Sequence, residues 1–388
     1  MKSTMALPLP ERFSQIPRHA ILYQSPSPIH PLPTLSRLTH PRITLFAKRE
    51  DHSSPLACSG NKYRKLEYIV PDILSNKPIH HAHENNLTPA APLPGPATTL
   101  VTEGAIQSNH TVQVAALARI LGLKAIVLLH RGTGGGLRAA VDKEGYLRSG
   151  NVQVNRLLGA EVRVCEEGDP LADDATPLLE GLAAEGERPY WIPGGASLHP
   201  LGGLGYARAA FEIAEQEEGI GLGGSGRFDY VFVACGSGST VGGLVAGFKL
   251  LEKMKTGSGS RRVVGILNSP TKPRAYHEER VLAFAKRAGG MIGLEDGDIG
   301  MDDVRLDDRF VGSGYGVFDA DTKESLESIA RTEGMVLDPV YTAKVARGMM
   351  HWVEEGKIVN IQQPLDEVNV LFMHTGGQAA LGAYADIK

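Results

Sequence analysis

The chain has 388 residues, 42% of them hydrophobic and 22% charged, an ordinary globular composition with length enough for two domains and a large core. A formal net charge of −4 argues against nucleic acid or an anionic membrane surface as a partner. The three cysteines, Cys58, Cys165 and Cys235, are odd in number and far apart, which argues against a disulfide scaffold or a zinc site and suits free thiols in a reducing compartment.

The first stretch, MKSTMALPLPERF, carries no long apolar run, so no secretory signal is expected and the expected location is the cytoplasm. The strongest apolar runs, AIVLLH and YVFVAC, are too short to cross a bilayer and suit buried strands.

The first patterned segment is CSGNKYRKLEY, residues 58–68. Lys62, Arg64 and Lys65 stand just behind a Gly-Asn pair, where a helix should start and where the helix dipole disfavours cations. Leu66, Ile69, Val70, Ile73 and Leu74 recur at helical spacing, and Pro71 among them should kink or interrupt the helix. The helix terminus, Arg64 and Lys65 should all oppose protonation of Lys62 and lower its pKa, and a neutral amine is what Schiff-base chemistry requires. Residues 75–97 are rich in Pro and Asn and read as a solvated loop. Their HHAH run reads as exposed histidines in preference to metal ligands, and no metal site is expected.

TTLVTEGAI (98–106) reads as a strand leading into a helix over 111–122, with the next strand at 124–131. Between them Gln107, Ser108, Asn109, His110 and Thr111 form a polar run, of which a helix cap uses only one. The others suit a substrate carboxylate at a helix N-terminus. GTGGG (132–136) and GLGGSG (221–226) read as loops. Strands are expected at 160–166, 228–236, 262–269 and 367–377, and helices at 204–218, 241–255, 322–333, 340–355 and 378–385.

After the strand ending at Cys235, the turn Gly236, Ser237, Gly238, Ser239, Thr240 supplies backbone N–H groups, hydroxyls and a helix start near Val241. That is a phosphate seat. Val241 stands where a dinucleotide fingerprint needs its third glycine, so a single phosphate fits better than a nicotinamide dinucleotide, although a nicotinamide-dependent dehydrogenase is the alternative from another class. Further on, Tyr315 lies in the Gly-rich FVGSGYGVF. In LDPVYT, Asp338 reads as an N-cap with Pro339 at N1 and Tyr341 in the first turn. Either tyrosine could stack on a cofactor and carry a proton. The alternation of strand and helix predicts an α/β fold of open, mostly parallel sheets wrapped by helices.

Seven segments in order, from AKREDHSSPLACSGNKYRKLEYIVPD through EGAIQSNHT, GNVQVNRLLGAEV, YWIPGGASLHPLGGLGY, GSGSTVGG and LDPVYT to HTGGQAAL, resemble the D-cysteine desulfhydrase and 1-aminocyclopropane-1-carboxylate deaminase family of pyridoxal-phosphate enzymes. The resemblance runs from about residue 20 to about 385. It implies a two-domain, tryptophan-synthase-β-like fold (PLP fold type II), with residues 1–65 plus 195–388 as the larger cofactor-binding domain and 66–194 as a smaller inserted one. It also implies a homodimer and a small amino-acid substrate. Lys62 would hold pyridoxal 5'-phosphate as a Schiff base, Asn61 would bond its ring hydroxyl, and Gly236, Ser237, Gly238, Ser239 and Thr240 would hold its phosphate. Ser108, Asn109, His110 and Thr375 would bind substrate, with Lys62, Ser108, Tyr315 and Tyr341 as the catalytic set.

Within the family, the deaminases have Glu where this chain has Thr342, facing the cofactor's ring nitrogen, and Leu where it has Thr375. A threonine makes the ring a weaker electron sink, which suits loss of sulfur better than opening of a cyclopropane. The expected reaction is therefore D-cysteine to pyruvate, hydrogen sulfide and ammonia, with 1-aminocyclopropane-1-carboxylate deamination as the alternative.

Overall fold

The structure is a computed structural model that describes residues 7–80, 94–131, 142–166, 169–254, 260–269, 272–358 and 367–384. Most of the HHAH run and all of GTGGG lie outside the described residues. Among the described residues ten strands form two sheets. The larger has the order β1 (Ile29–Pro31), β2 (Ile43–Arg49), β10 (Val368–His374), β7 (Tyr230–Cys235), β8 (Arg262–Leu267), β9 (Arg305–Asp307), with only β1 antiparallel to its neighbour. The smaller has the order β5 (Glu161–Cys165), β4 (Lys124–His130), β3 (Thr99–Ala105), β6 (Pro189–Ile192) and is parallel throughout. All four of its strands fall between residues 99 and 192, while the six of the larger sheet flank that interval.

Nine helices of eight residues or more are described: α1 (Asn61–Ile73), α2 (Asn109–Ile120), α3 (Gly150–Leu157), α4 (Thr176–Ala184), α5 (Leu204–Ile220), α6 (Ser239–Lys253), α7 (Arg274–Ile292), α8 (Ala320–Glu333) and α9 (Thr342–Glu354). They cover both faces of the sheets, which is why the central strands are continuous apolar runs. In β7, Val231 and Val233 pack with α5, α6 and α7, while Tyr230, Phe232 and Ala234 pack with α8 and α9. The smaller sheet repeats this, with Leu100 and Val127 against α1 and α2 and Val101, Ile126 and Trp191 against α4.

Several boundaries differ from expectation for identifiable reasons. Helix α1 runs through Pro71 without interruption. A proline there removes the N–H that would bond the carbonyl of residue 67. That carbonyl instead accepts from the His19 N–H at 2.8 Å, so no group is orphaned. Helix α6 starts at Ser239, two residues before the expected Val241, which puts Ser239 and Thr240 in its first turn. Residues 378–383 form a 3₁₀ turn in place of the expected α-helix. Strands β1, β2, β6 and β9 and helices α3, α4 and α7 are additions to the expected set.

Candidate active site

The parallel strands direct their C-terminal ends toward one cavity of about 280 Å³. Its walls come from the residues that follow β3 (Ser108, Asn109, His110), β6 (Gly194, Gly195), β7 (Gly236, Ser237, Gly238, Thr240), β8 (Asn268, Ser269) and β10 (Thr375), together with Asn61 and Lys62 of α1. Ligands of open α/β sheets bind at this edge because each strand's end exposes a turn and a helix N-terminus there.

Lys62 is held at the first turn of α1. The Asn61 N–H donates to the Thr375 carbonyl at 3.2 Å, and Gly60 bridges to Gly376. A Cβ on Gly60 would lie 2.6 Å from that same carbonyl, so only glycine permits the approach. The half-buried Lys62 amine has its pKa lowered to about 8. Burial is the cause, and the neighbouring Lys65 amine, as a hydrogen-bond partner, acts the other way. This corrects the expectation that neighbouring cations lower it. The like-charge penalty falls on Lys65, held well below its ordinary value by burial and then by Lys62, while its Nζ donates to the Gly195 carbonyl at 3.0 Å. Arg64 points away to Glu50 and Glu212, at 2.5 and 2.8 Å.

The turn after β7 is shaped for close approach. Gly238 has φ +103°, a conformation L side chains rarely adopt. Ser197 joins the hydroxyls of Ser237 and Ser239, at 2.6 and 2.8 Å, and the Asn61 amide donates to Thr240 Oγ1 at 3.2 Å. Ser239 itself is not among the lining residues.

The polar run 107–111 divides. Gln107 donates to the Tyr146 and Ser149 carbonyls and accepts from the Asn151 N–H, and Thr111 donates to the Ser108 carbonyl, so both serve the fold. Ser108, Asn109 and His110 line the cavity. Ser108 is the N-cap residue of α2 but makes no side-chain cap. Thr102 gives its own proton to the Ile192 carbonyl, so His110 Nε2, 3.0 Å away, must be the donor to Thr102. His110 Nδ1 is buried without a partner. Burial, then Lys62 and Lys65, hold His110 well below the ordinary imidazole pKa, so it is neutral.

Tyr315 and Tyr341 both line the cavity, hydroxyl against hydroxyl. Burial raises both phenols. Tyr341 occupies the N-cap position of α9 and not its first turn. Asp338 still caps, three residues earlier, by accepting from the N–H groups of Val340, Tyr341 and Thr342 at 3.0, 2.9 and 2.7 Å. Thr342 lies behind this wall, fully buried and not in the cavity lining, with its hydroxyl donating to Asp338 Oδ1 at 2.6 Å. Among the described residues the lining holds no carboxylate. Sequence reasoning missed Asn268, Ser269, His277 and Arg280 in the lining. The place of the first two just beyond a buried strand was the available signal.

Fold and site together bring a lysine amine and a glycine-serine turn at a helix N-terminus into one cavity. The chain belongs to the pyridoxal-phosphate dependent enzyme family, whose model matches residues 21–376. Similar proteins include the 1-aminocyclopropane-1-carboxylate deaminases of Burkholderia ambifaria (37% identical, 97% of this chain and 98% of that one) and Methylobacterium nodulans (38%, 96% and 97%). A probable 1-aminocyclopropane-1-carboxylate deaminase of Cryptococcus neoformans is 36% identical, with 96% of each chain covered. The crystal structure of an ACC deaminase homologue superposes with a TM-score of 0.74 at 29% identity, covering 97% of this chain and 96% of that one. The chain is thus a pyridoxal-phosphate-dependent enzyme of 1-aminocyclopropane-1-carboxylate deaminase-like type, and the nicotinamide alternative falls. Among the described residues, no helix is long and apolar enough to cross a membrane.

The residues present fit the cofactor. A lysine amine with a depressed pKa opens on the cavity, the Gly236–Thr240 turn at the start of α6 lines it, and both polar atoms of the buried Asn268 side chain in the wall lack partners.

Proposed function

We propose that the chain is a pyridoxal-phosphate-dependent lyase that deaminates a small α-amino acid, and that 1-aminocyclopropane-1-carboxylate, converted with water to 2-oxobutyrate and ammonia, is its substrate. The observation that carries the reading is the Lys62 amine, opening on one cavity with both the Gly236–Thr240 turn and the N-terminus of α2. The relatives, similar over nearly the whole chain, support the choice of substrate.

When bound, pyridoxal phosphate supplies an aldehyde that captures the substrate amine and a ring that takes up electrons released at Cα. Lys62 would hold the cofactor, and its amine, when free, would move a proton at carbon. Ser108 and Asn109, with backbone N–H groups at the start of α2, bind the substrate carboxylate. Thr375 closes that side, and the neutral His110 fills the wall without adding a competing charge. Asn61 positions the ring edge. Tyr315 and Tyr341 share one hydroxyl contact and deliver a proton to the departing carbon or sulfur. Thr342 acts through Asp338 by fixing the backbone that carries Tyr341.

A second reading, D-cysteine to pyruvate, hydrogen sulfide and ammonia, is favoured by one observation: no carboxylate lines the cavity among the described residues, so none supports a strong electron sink. Assaying both substrates side by side with the purified full-length chain decides. 2-Oxobutyrate formation as the dominant activity supports the first reading, and dominant sulfide release from D-cysteine overturns it in favour of the second.

A further inference from the structure

One face of α7 takes no part in the proposed reaction, yet it rests on the anion turn. A Cβ on Gly238 would lie 3.2 Å from the Phe284 ring and 3.3 Å from Val281. His277 and Arg280 share that face, at helical spacing from Val281 and Phe284, and both line the cavity. Across from them stands Asn268, whose Oδ1 would be 3.1 Å from a Cβ on Gly236.

These side chains are built for a ligand. Asn268 is 0% exposed, with neither amide atom partnered, and His277 is 5% exposed, with Nε2 unpartnered. Leaving such atoms buried and unpaired costs stability unless something binds them. Arg280 is half-buried, with its guanidinium 5.5 Å over the Phe284 ring, and no carboxylate among the described residues pairs with it. A cation with no counter-ion among the described residues, the unpartnered Asn268 amide, the unpartnered His277 Nε2 and a helix N-terminus on one stretch of wall all favour an anion.

We propose that Arg280, with Asn268 and His277, closes the anion seat begun by the Gly236–Thr240 turn, so that a phosphate monoester there meets a side-chain cation as well as the N-terminus of α6. Asn268 offers its Nδ2 protons, and His277 Nε2 becomes a donor once the anion draws a proton onto it. The inference rests on the cofactor reading of the turn. The same cation could serve a carboxylate at the far end of a substrate, and the experiment separates the two sources.

The full-length chain and its Arg280→Gln and Arg280→Lys variants, stripped of cofactor, are titrated with pyridoxal phosphate and with unphosphorylated pyridoxal, and binding is followed by visible absorbance. Arg280→Gln should weaken pyridoxal phosphate binding about tenfold or more and leave pyridoxal binding unchanged. Arg280→Lys should restore part of the loss, and inorganic phosphate should compete with pyridoxal phosphate more weakly in Arg280→Gln than in the unaltered chain. Equal pyridoxal phosphate affinity in Arg280→Gln and the unaltered chain overturns the proposal. So does unchanged cofactor affinity with a raised KM for the amino acid, which would assign the cation to the substrate. An unaltered chain that binds neither compound would remove the cofactor reading and this inference together.

Discussion

Helix α1 buries cations on two sides and treats them in opposite ways. Toward the cavity, Lys62 and Lys65 lie amine to amine, and burial lowers both. Away from it, burial would lower the Arg64 guanidinium too, but Glu212 and Glu50 more than offset it and hold Arg64 firmly charged. Lys48 joins the same cluster, with Nζ on Glu212 Oε1 at 2.6 Å, although burial still lowers its pKa and Glu212 and Glu50 only partly offset that. The difference lies in the partners. A buried guanidinium clasped by two carboxylates is a structural charge, while a buried amine with none beside it is a poor ammonium and a good nucleophile. One helix thus fixes its own position with one residue and presents a reactive amine with another two positions earlier.

Four measurements break or sharpen that contrast. Lys62→Ala should lower turnover by at least about 10⁴-fold and abolish the visible absorbance of the cofactor-loaded protein, with circular dichroism unchanged. A variant that kept its turnover would break the reactive half. Glu50→Gln should unbalance the structural half and destabilise the fold by about 3–5 kcal/mol in denaturant titration, because Arg64 and Glu50 are both buried. An unchanged midpoint would mean that Glu212 alone suffices.

The pH response sharpens the reactive half. In the cofactor-free chain, the Lys62 amine gains its neutral form as pH rises through about 8, where an ordinary lysine does so near 10.5. Capture of a neutral aromatic aldehyde, trapped with cyanoborohydride and located by peptide mapping, should therefore be low at pH 6 and half-maximal near 8. A half-rise near 10.5 would show that burial does not set this amine. The smallest effect should come from outside both regions. The Tyr384 hydroxyl donates to the Gly316 carbonyl at 2.9 Å, next to Tyr315, so Tyr384→Phe should cost about 1 kcal/mol of stability.

Much of this was legible in the chain because parallel strands buried on both faces leave long apolar runs, as β7 and β10 do. Lys62, the glycine-serine turn and the run at 107–111 stood out because each follows a feature that local rules detect. Strand β2 escaped because it ends in Lys48 and Arg49, and a fully buried Lys48 makes sense only once Glu212 is brought to it from α5. Helix α7 escaped although His277, Val281, Phe284, Ala285, Ala288 and Ile292 bury one helical stripe, a spacing that could have been counted. Without that helix, His277 and Arg280 could not be placed in the cavity. The depression of Lys62 was foreseen but its cause was not. Sequence neighbours suggest repulsion, whereas the dominant influence is enclosure by segments far away in the chain.

The junction of Gly60 with Gly376, and of Asn61 with Thr375, dictates when the protein becomes competent during its own synthesis. A ribosome makes the lysine well before its supporting strand, Val368–His374. Until residue 376 has emerged, the start of α1 lacks its backbone partners Thr375 and Gly376, so a chain that stops short of them lacks one wall of the pocket. On the proposed role of Lys62, cofactor capture should therefore wait until the strand ending at His374 and the two residues beyond it have been made.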